Sequence, residues 1–242
     1  MDSFYPPFEL HANMADHTTS NADSWKLSWQ EEFEGSELNP LHWNALDDAR
    51  GDGERSQHYK PENVEINDGI LALHTKRETS EGFPYTSGAI TTKDKVAFRY
   101  GKLEVKAKLP KGQGLLPAIW LWNTQGNEFP EIDIVELLGQ KPGQLWNVIH
   151  YETNGNYGRD FTMTEHPDLT EDFHIYGIEW TAEKIIFLLD GQPIFTSTDY
   201  IPHEDMYLFI NTGVGGNWVG EPDHTTVFPA QLLVEWIRYY QK

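Results

Sequence analysis

Three acidic side chains interrupt an otherwise apolar segment, PEIDIVELLG, which spans residues 130–139. In an extended strand successive side chains point to opposite faces, so Glu131 and Asp133 share one face and the intervening isoleucine lines the other. Glu136 has the opposite parity, and it joins the acidic face only if the strand accommodates one extra residue. A β-bulge near Val135 does this, so we predict three carboxyl groups on one face.

Clustered carboxyl groups repel one another, so they indicate either a charged, solvated strand or a reaction that uses them. Glycosidases use such a pair: an ionised carboxylate attacks the anomeric carbon, and a protonated carboxyl donates to the leaving oxygen. In that interpretation Glu131 is the nucleophile, Glu136 is the acid/base, and Asp133 shares a proton with Glu131. Retention requires the two carboxyls to lie roughly 5–5.5 Å apart, which needs a concave, twisted sheet. The spacing alone leaves both interpretations open.

The charge and composition of the chain restrict the classes of molecule that it is expected to bind. The 242 residues include 18 Lys and Arg against 38 Asp and Glu, which gives a net charge of -20. Such a surface repels nucleic acids, anionic membranes and anionic polymers, so we expect a neutral partner. Nine tryptophans, more than a core needs, suggest surfaces on which sugars stack. The chain has no cysteine and hence no disulfide.

The pattern of strands and turns predicts one domain. Residues 1–24 have no periodicity and are interpreted as a flexible leader, followed by a single domain at 25–242. Alternating segments are separated by turns, with hairpin signals at Asp68-Gly69 and Asp190-Gly191. A Gly/Asn-rich stretch separates QLWNVIHY from FHIYGIEW. With no convincing amphipathic helix, the pattern predicts an all-β sandwich.

The chain resembles family 16 of the glycoside hydrolases. The motifs that carry the resemblance are EIDIVE at 131–136, SGAITT at 87–92, YGKLEVKAKLPKGQGLLPAIWLW at 100–122, FHIYGIEW at 173–180, FINTGVGGNW at 209–218, and EWIRYYQ near the end. The resemblance implies a β-jelly roll of two antiparallel sheets with a concave substrate cleft. It also implies that Glu131 is the nucleophile, Asp133 the assisting acid and Glu136 the acid/base of a retaining hydrolase.

The same resemblance implies a substrate class. We expect an endo-acting β-glucanase that hydrolyses internal β-1,3 or mixed β-1,3/1,4 bonds of a neutral polysaccharide, as laminarinases and lichenases do. The extra residue before Glu136 resembles the branch of the family whose acidic strand contains a bulge, which includes laminarinases, agarases and carrageenases. The segment YETNG at 151–155 instead resembles lichenases. The alternatives are a galactanase of the agarase or carrageenase type and a non-catalytic carbohydrate-binding module. Transglycosylation is a further outcome, in which a sugar hydroxyl instead of water reacts with the covalent glycosyl-enzyme intermediate.

Several tryptophans are candidates for sugar binding. Trp120 and Trp122 share a face of one strand and are either platforms for a pyranose or core residues. Trp218 follows two glycines in a loop, which lets the chain approach a ligand, so we assign it to the cleft. Trp146 is assigned to the core.

Two polar residues complete the predicted binding site. Asn211 precedes the Trp218 loop, and its amide suits either the recognition of hydroxyl groups or a structural hydrogen bond. His150 is expected to hydrogen-bond Glu136 or the substrate, or else to be an ordinary surface or core residue.

The resemblance also implies a structural calcium ion. Glu32, Gly69 and Glu235 occupy the matching positions and offer carboxylate and carbonyl oxygens, although aspartate is usual at 235. An ordinary acidic patch is the alternative. No cofactor is expected for catalysis. We further expect a monomer that is secreted, with its signal peptide absent from this sequence, and no membrane span.

Overall fold

The computed structural model describes residues 24–49 and 55–242, which form two packed sheets of β-strands. The all-β prediction is therefore confirmed. The predicted leader, 1–24, lies outside the described residues except for Ser24. Within the described ranges, no helix is long and apolar enough to cross a membrane. In chain order the strands are β1 (Lys26–Glu31), β2 (Asn44–Ala45), β3 (Gln57–Tyr59), β4 (Val64–Asn67), β5 (Ile70–Lys76), β6 (Tyr85–Ser87), β7 (Ala89–Thr91), β8 (Gly101–Lys108), β9 (Leu115–Asn123), β10 (Glu131–Leu137), β11 (Gln144–Thr153), β12 (Asn156–Glu165), β13 (His174–Trp180), β14 (Ile185–Leu189), β15 (Gln192–Ser197), β16 (Met206–Val214) and β17 (Ala230–Gln241).

The two sheets differ in size. The ten-stranded sheet has the order β15-β14-β13-β8-β17-β5-β6-β3, with β1 paired to β17 and β4 paired to β5. The seven-stranded sheet has the order β12-β11-β10-β9-β16-β7-β2. Among the described strands, every pairing is antiparallel except that of β3 with β6. The acidic strand β10 therefore lies inside the smaller sheet, with partners on both sides.

Alternating side chains explain how the sheets pack. In β8, Leu103, Val105 and Ala107 are buried between the sheets, whereas Lys106 points to the other side. Ile119 of β9 contributes to the same core from the opposite sheet. Each fully buried Leu or Ile side chain contributes roughly 1.5–3 kcal/mol, so the apolar faces fix the register of the strands.

Two predicted hairpins are confirmed, and a third was not predicted. Asp68-Gly69 joins β4 to β5 and Asp190-Gly191 joins β14 to β15, all four residues having positive φ. Asn154-Gly155 has the same conformation, with φ of 54° and 76°, and joins β11 to β12. Positive φ at both central residues is what a two-residue turn between twisted strands requires. Much of the Gly/Asn-rich stretch is thus a ten-residue strand at the edge of the smaller sheet.

Candidate active site

The predicted bulge is present in β10. Between Asp133 and Glu136, β10 has one residue more than the segment of β11 with which it pairs. The pairing of β10 with β9 shifts at the same place. Ile134 and Val135 are 1% and 0% exposed, so two successive side chains are buried. Glu136 consequently returns to the face of Glu131 and Asp133. We call this solvent-facing side of the seven-stranded sheet the acidic face.

The end of the acidic strand is held by a close approach of two turns. Gly112 N donates to Gly139 O at 2.9 Å, and Gly139 N donates to Leu115 O at 2.8 Å. A Cβ atom at position 139 would collide with the carbonyl oxygen of Gly112. Glycine is therefore required here, and it fixes the end of β10 against the start of β9.

Glu131 and Asp133 form a close pair of carboxyl groups, with an oxygen of each within 4.8 Å of the other and of a ring nitrogen of His150. Asp133 is only 3% exposed, whereas Glu131 is partly exposed. Burial, followed by the neighbouring Asp133, raises the pKa of Glu131 to about 9. Burial also raises the pKa of Asp133 well above its usual value, with Glu136 adding to the effect. The pair consequently retains one proton at neutral pH, and Glu131 is an ionised nucleophile when that proton resides on Asp133.

Glu136 has the environment of a general acid. Burial raises its pKa, because the charged form loses contact with water. His150, Arg55 and Arg159 act electrostatically in the opposite direction and lower its pKa. Burial is the larger effect, so the protonated form is favoured and can donate to a leaving oxygen.

His150 contacts Asp133 and not Glu136. Its Nε2 lies 3.2 Å from Oδ2 of Asp133, and the prediction of a hydrogen bond to Glu136 is therefore wrong. The reason is register: His150 stands opposite Glu131, beside Asp133. The Tyr157 hydroxyl lies 2.7 Å from Nδ1 of the same ring. When that hydroxyl donates to Nδ1, the ring proton is on Nε2 and faces Asp133.

Replacing Asp133 by asparagine should slow the reaction without abolishing it. We expect kcat to fall roughly 10- to 100-fold, because the amide cannot take the shared proton or hold Glu131 in the same way. Asp133 also raises the pKa of Glu131, and a neutral amide does not. The acidic limb of kcat/KM should therefore move to lower pH in the variant. Rate profiles across the acidic and neutral range measure both effects, and a wild-type profile would remove Asp133 from the mechanism.

Trp120 and Trp122 lie on the acidic face and are partly exposed. Trp122 is directly opposite Glu131, and Trp120 is directly opposite Asp133. Their ring centroids are 5.5 Å apart, and Trp120 stacks on Phe209 of β16 at 4.6 Å. The structure thus places both tryptophans beside the acids and not in the core. Binding of a sugar to them remains a prediction.

Asn211 is a structural residue of the same face. Trp120 Nε1 donates to Asn211 Oδ1 at 2.9 Å, and Asn211 Nδ2 donates to the Tyr59 hydroxyl at 2.8 Å. Both ends of the buried amide are therefore used within the protein. The contacts support the structural hydrogen bond, and direct recognition of a sugar hydroxyl by Asn211 stays a prediction.

The loop after β16 brings Trp218 to the acidic face. The side chains of Gln113 and Gln140 both donate to the carbonyl oxygen of Val219, which anchors the loop next to the end of β10. Trp218 is 44% exposed and meets Trp146 edge-on, with ring centroids 5.5 Å apart. Trp146 is itself partly exposed, so its assignment to the core is wrong.

Four side chains near the acids were not predicted from the sequence: Arg55, Tyr157, Arg159 and Phe161. Three of them lie on β12, which was not predicted as a strand. The available signal was Asn154-Gly155 followed by alternation of large and small side chains. The position of Trp146 also followed from parity, because it is four residues before His150 in a strand.

The predicted calcium ligands lie near one another in register but have other partners. Glu31 of β1 pairs with Ile237 of β17, and Leu71 of β5 pairs with Val234, so Glu32 and Gly69 follow and precede residues that pair with β17 on either side of Glu235. Arg238 donates to both carboxylate oxygens of Glu32, at 3.0 and 3.3 Å. Lys106 Nζ lies 2.6 Å from Glu235. The two carboxylates fit calcium only after exchanging these cationic partners.

Comparisons with known proteins agree with this geometry. The model of the Glycosyl hydrolases family 16 matches residues 52–238. The chain is 31% identical to a β-glucanase of Rhodothermus marinus, over 92% of this chain and 87% of that protein. It is also 31% identical to glucan endo-1,3-β-glucosidase A1 of Niallia circulans, over 89% of this chain but 38% of that longer protein.

Solved structures of laminarinases share the fold. The catalytic domain of an endo-1,3-β-glucanase (laminarinase) from Thermotoga petrophila superposes with a TM-score of 0.83 at 32% identity, covering 90% of this chain and 98% of that one. The endo-β-1,3-glucanase of Pyrococcus furiosus gives a TM-score of 0.81 at 33% identity, covering 90% and 94%. The two sheets are therefore those of the jelly roll found in these enzymes.

Proposed function

The chain belongs to family 16 of the glycosyl hydrolases, and from this we propose that it is a retaining endo-β-glucanase that cleaves β-1,3 or mixed β-1,3/1,4 glucans. The observation that carries the proposal is the bulged strand, which places Glu131, Asp133 and Glu136 on one face between aromatic side chains. Aromatic rings stack on the apolar faces of pyranoses, and the carboxyls supply the chemistry.

The first chemical step forms a covalent intermediate. A carboxylate oxygen of Glu131 bonds to the anomeric carbon as the glycosidic C–O bond breaks, and Glu136 transfers its proton to the departing oxygen. Asp133 holds the proton that Glu131 gives up before it attacks. The leaving portion of the glucan departs with a new hydroxyl group, and Glu136 becomes a carboxylate.

The second step releases the other portion. Glu136 now accepts a proton from a water molecule, whose oxygen bonds to the anomeric carbon while the ester bond to Glu131 breaks. Two inversions at the same carbon give net retention. When a sugar hydroxyl replaces the water, the same step is a transglycosylation.

The charge of the chain supports a neutral polymer over an anionic one. Arg55 and Arg159 both act electrostatically on Glu136, yet the net charge of -20 repels a sulfated chain before it reaches them. The named relatives and solved structures are glucanases, which further supports the glucan over a galactan. A non-catalytic binding module would need the aromatic side chains but not the buried acids.

Product analysis on three polysaccharides tests the proposal. Laminarin, mixed-linkage barley glucan and agarose are incubated in parallel with the protein and with a Glu131→Gln variant, and the products are resolved by size over time. We expect a ladder of oligosaccharides from at least one glucan with the wild type alone. Cleavage of agarose only would indicate a galactanase, and no cleavage of any polymer would indicate a binding module.

We also propose that the structural calcium ion contributes to stability and not to rate. A calcium ion that displaced the Lys106 ammonium from Glu235 would join the carboxylates of Glu32 and Glu235 with a carbonyl oxygen of Gly69. Protein treated with a chelator should then unfold at a lower temperature than protein with added calcium, while kcat is unchanged at temperatures where both are folded. Equal melting temperatures would leave Arg238 and Lys106 as the permanent partners of the two carboxylates.

We propose that the enzyme is secreted, because a polymeric glucan is met outside the cell. We propose that it acts as a monomer, because the acidic face must stay open to a long chain. Sedimentation or size-exclusion analysis under assay conditions tests the second proposal.

A further inference from the structure

A tyrosine of the edge strand β12 is connected to the acids through His150. The Tyr157 hydroxyl lies 2.7 Å from Nδ1 of His150, and Nε2 of the same ring lies 3.2 Å from Oδ2 of Asp133. Asp133 lies beside Glu131, which is the register partner of His150 across the strand pair. A chain of polar contacts therefore runs from the edge of the sheet to the proposed nucleophile.

Ring packing holds the Tyr157 hydroxyl against His150, although Tyr157 is 56% exposed. The Tyr157 ring lies over the His150 ring, with centroids 5.8 Å apart and an interplanar angle of 24°, and its centroid is 5.3 Å from that of Phe129. Phe129 also stacks on His150, at a centroid distance of 6.4 Å. Each ring thus packs on the other two, which restricts the rotamers of an otherwise solvated tyrosine.

The backbone that carries Tyr157 is fixed from the core side of the sheet. Tyr151 of β11 pairs with Gly158, and a Cβ atom at position 158 would collide with the Tyr151 ring. Glycine therefore leaves the space that this ring fills. The Tyr151 ring stacks in turn on Tyr200, with centroids 4.4 Å apart and an interplanar angle of 7°. The edge strand is consequently anchored at the residue next to Tyr157.

The two distances indicate which nitrogen of His150 carries a proton. An imidazolium bound to a carboxylate approaches to about 2.7–2.9 Å, whereas Nε2 and Oδ2 of Asp133 are 3.2 Å apart. The shorter contact is that of the Tyr157 hydroxyl, which donates to the unprotonated Nδ1 of a neutral ring. Glu131 and Asp133 favour a cationic ring, but they share one proton, and the positive charge of Arg159 opposite His150 counteracts them. The ring proton then lies on Nε2.

We propose that Tyr157 is a positioning residue for the nucleophile and acts by holding His150 with its proton on Nε2. Oδ2 of Asp133 is buried, and in the described part of the chain no hydrogen-bond partner other than this N–H reaches it. A donor at Oδ2 leaves the proton that Asp133 shares with Glu131 on the other oxygen, where it orients an ionised Glu131. The opposite tautomer would offer a lone pair to Oδ2 and draw that proton away. This inference rests on the proposed glucanase function.

Replacing Tyr157 by phenylalanine tests the proposal, because it removes the hydroxyl and keeps the ring packing. Nuclear magnetic resonance of isotope-labelled histidine, with His150 assigned from a His150→Gln variant, shows which ring nitrogen is protonated. We expect the wild type to have its proton on Nε2, and Tyr157→Phe to have it on Nδ1 or on both in exchange. The kcat on the preferred glucan should fall about tenfold, which is the scale of losing one hydrogen bond.

Two controls separate this role from a general effect on folding. In the His150→Gln background, Tyr157→Phe should cause no further loss of kcat, because Tyr157 acts through His150. Tyr151→Phe removes a hydroxyl from the neighbouring tyrosine pair on the core side, and both the tautomer and kcat should stay at their wild-type values.

Three results would overturn the proposal: a wild-type ring with its proton on Nδ1, a Tyr157→Phe variant with the wild-type tautomer, or an equal loss of kcat in both backgrounds. A wild type that has the expected tautomer but cleaves no glucan would instead contradict the glucanase function, while supporting the control of the His150 ring by Tyr157.

Discussion

Replacing Glu131 by glutamine should lower kcat on the preferred glucan by roughly 10⁴-fold or more, which is the scale of removing a nucleophile. The amide cannot form the ester with the anomeric carbon, and no other described carboxyl group takes its place, because Asp133 is almost fully buried behind it. The measurement is the initial rate of reducing-end release, compared with wild type at equal concentration of folded protein. A rate within tenfold of wild type would contradict the assignment.

The same variant should be as stable as the wild type or more stable. Burial raises the pKa of Glu131 to about 9 in the folded protein, whereas the unfolded chain ionises near the usual value of about 4.5. Between these two values unfolding releases a proton, so wild-type stability falls as pH rises. Glutamine has no such proton. The melting temperature of Glu131→Gln should therefore exceed that of the wild type at mildly alkaline pH, and the advantage should disappear near pH 4.

The separation of activity from stability is a consequence of where the acids lie. A carboxyl group placed for folding would be solvated or paired with a fixed cation, as Glu32 is with Arg238. Glu131 and Asp133 instead lie side by side, where burial raises the pKa of both and Asp133 raises that of Glu131 further. Such an arrangement destabilises the fold and is retained for chemistry.

The acidic strand was predictable because its pattern has one consistent solution. Two apolar residues in succession between Asp133 and Glu136 cannot both be buried on a regular strand unless the register slips by one. Ile134 and Val135 are both buried, as this argument requires. The paired turns at Asp68-Gly69 and Asp190-Gly191 were predictable for a similar reason, since few residues other than Asn, Asp and Gly adopt positive φ.

β12 was not predicted because its apolar side chains point to the wrong side for a core. Phe161 and Met163 are exposed, while the small polar side chains between them are partly buried. Large apolar residues in a strand are expected to be buried, and a period-two alternation surrounded by Gly and Asn is easily taken for a loop. The exception arises because this edge strand extends the acidic face, whose side chains point to solvent and not to the core.

Side-chain partners were the least predictable feature. The parity of β16 places Asn211 on the acidic face, yet only the structure shows that Trp120 and Tyr59 occupy both ends of its amide. The same holds for His150, which has the right face but reaches Asp133. Strand parity gives the face of a residue, whereas the partner depends on the register between strands that are distant in sequence.

Replacing Glu136 by alanine should lower kcat on a glucan roughly 10²- to 10⁴-fold, which is the usual contribution of a general acid/base. The loss should depend on the leaving group. Fluoride departs without much help from an acid, so the first step should be far less impaired for a β-glycosyl fluoride than for an oligosaccharide. In the wild type the rate should fall as pH rises through the elevated pKa of Glu136, because only the protonated form donates. The alanine variant should lose this alkaline limb when the fluoride is the substrate.

Added azide should then distinguish the roles of the two glutamates by the configuration of the product. In Glu136→Ala the intermediate on Glu131 still forms, and azide enters the space of the lost carboxyl and attacks it, which gives a β-glycosyl azide with net retention. In Glu131→Ala no intermediate forms, so azide attacks the β-linked substrate directly and gives the α-glycosyl azide. Nuclear magnetic resonance of the anomeric proton identifies each product. An α-azide from the Glu136 variant and a β-azide from the Glu131 variant would require the two assignments to be exchanged.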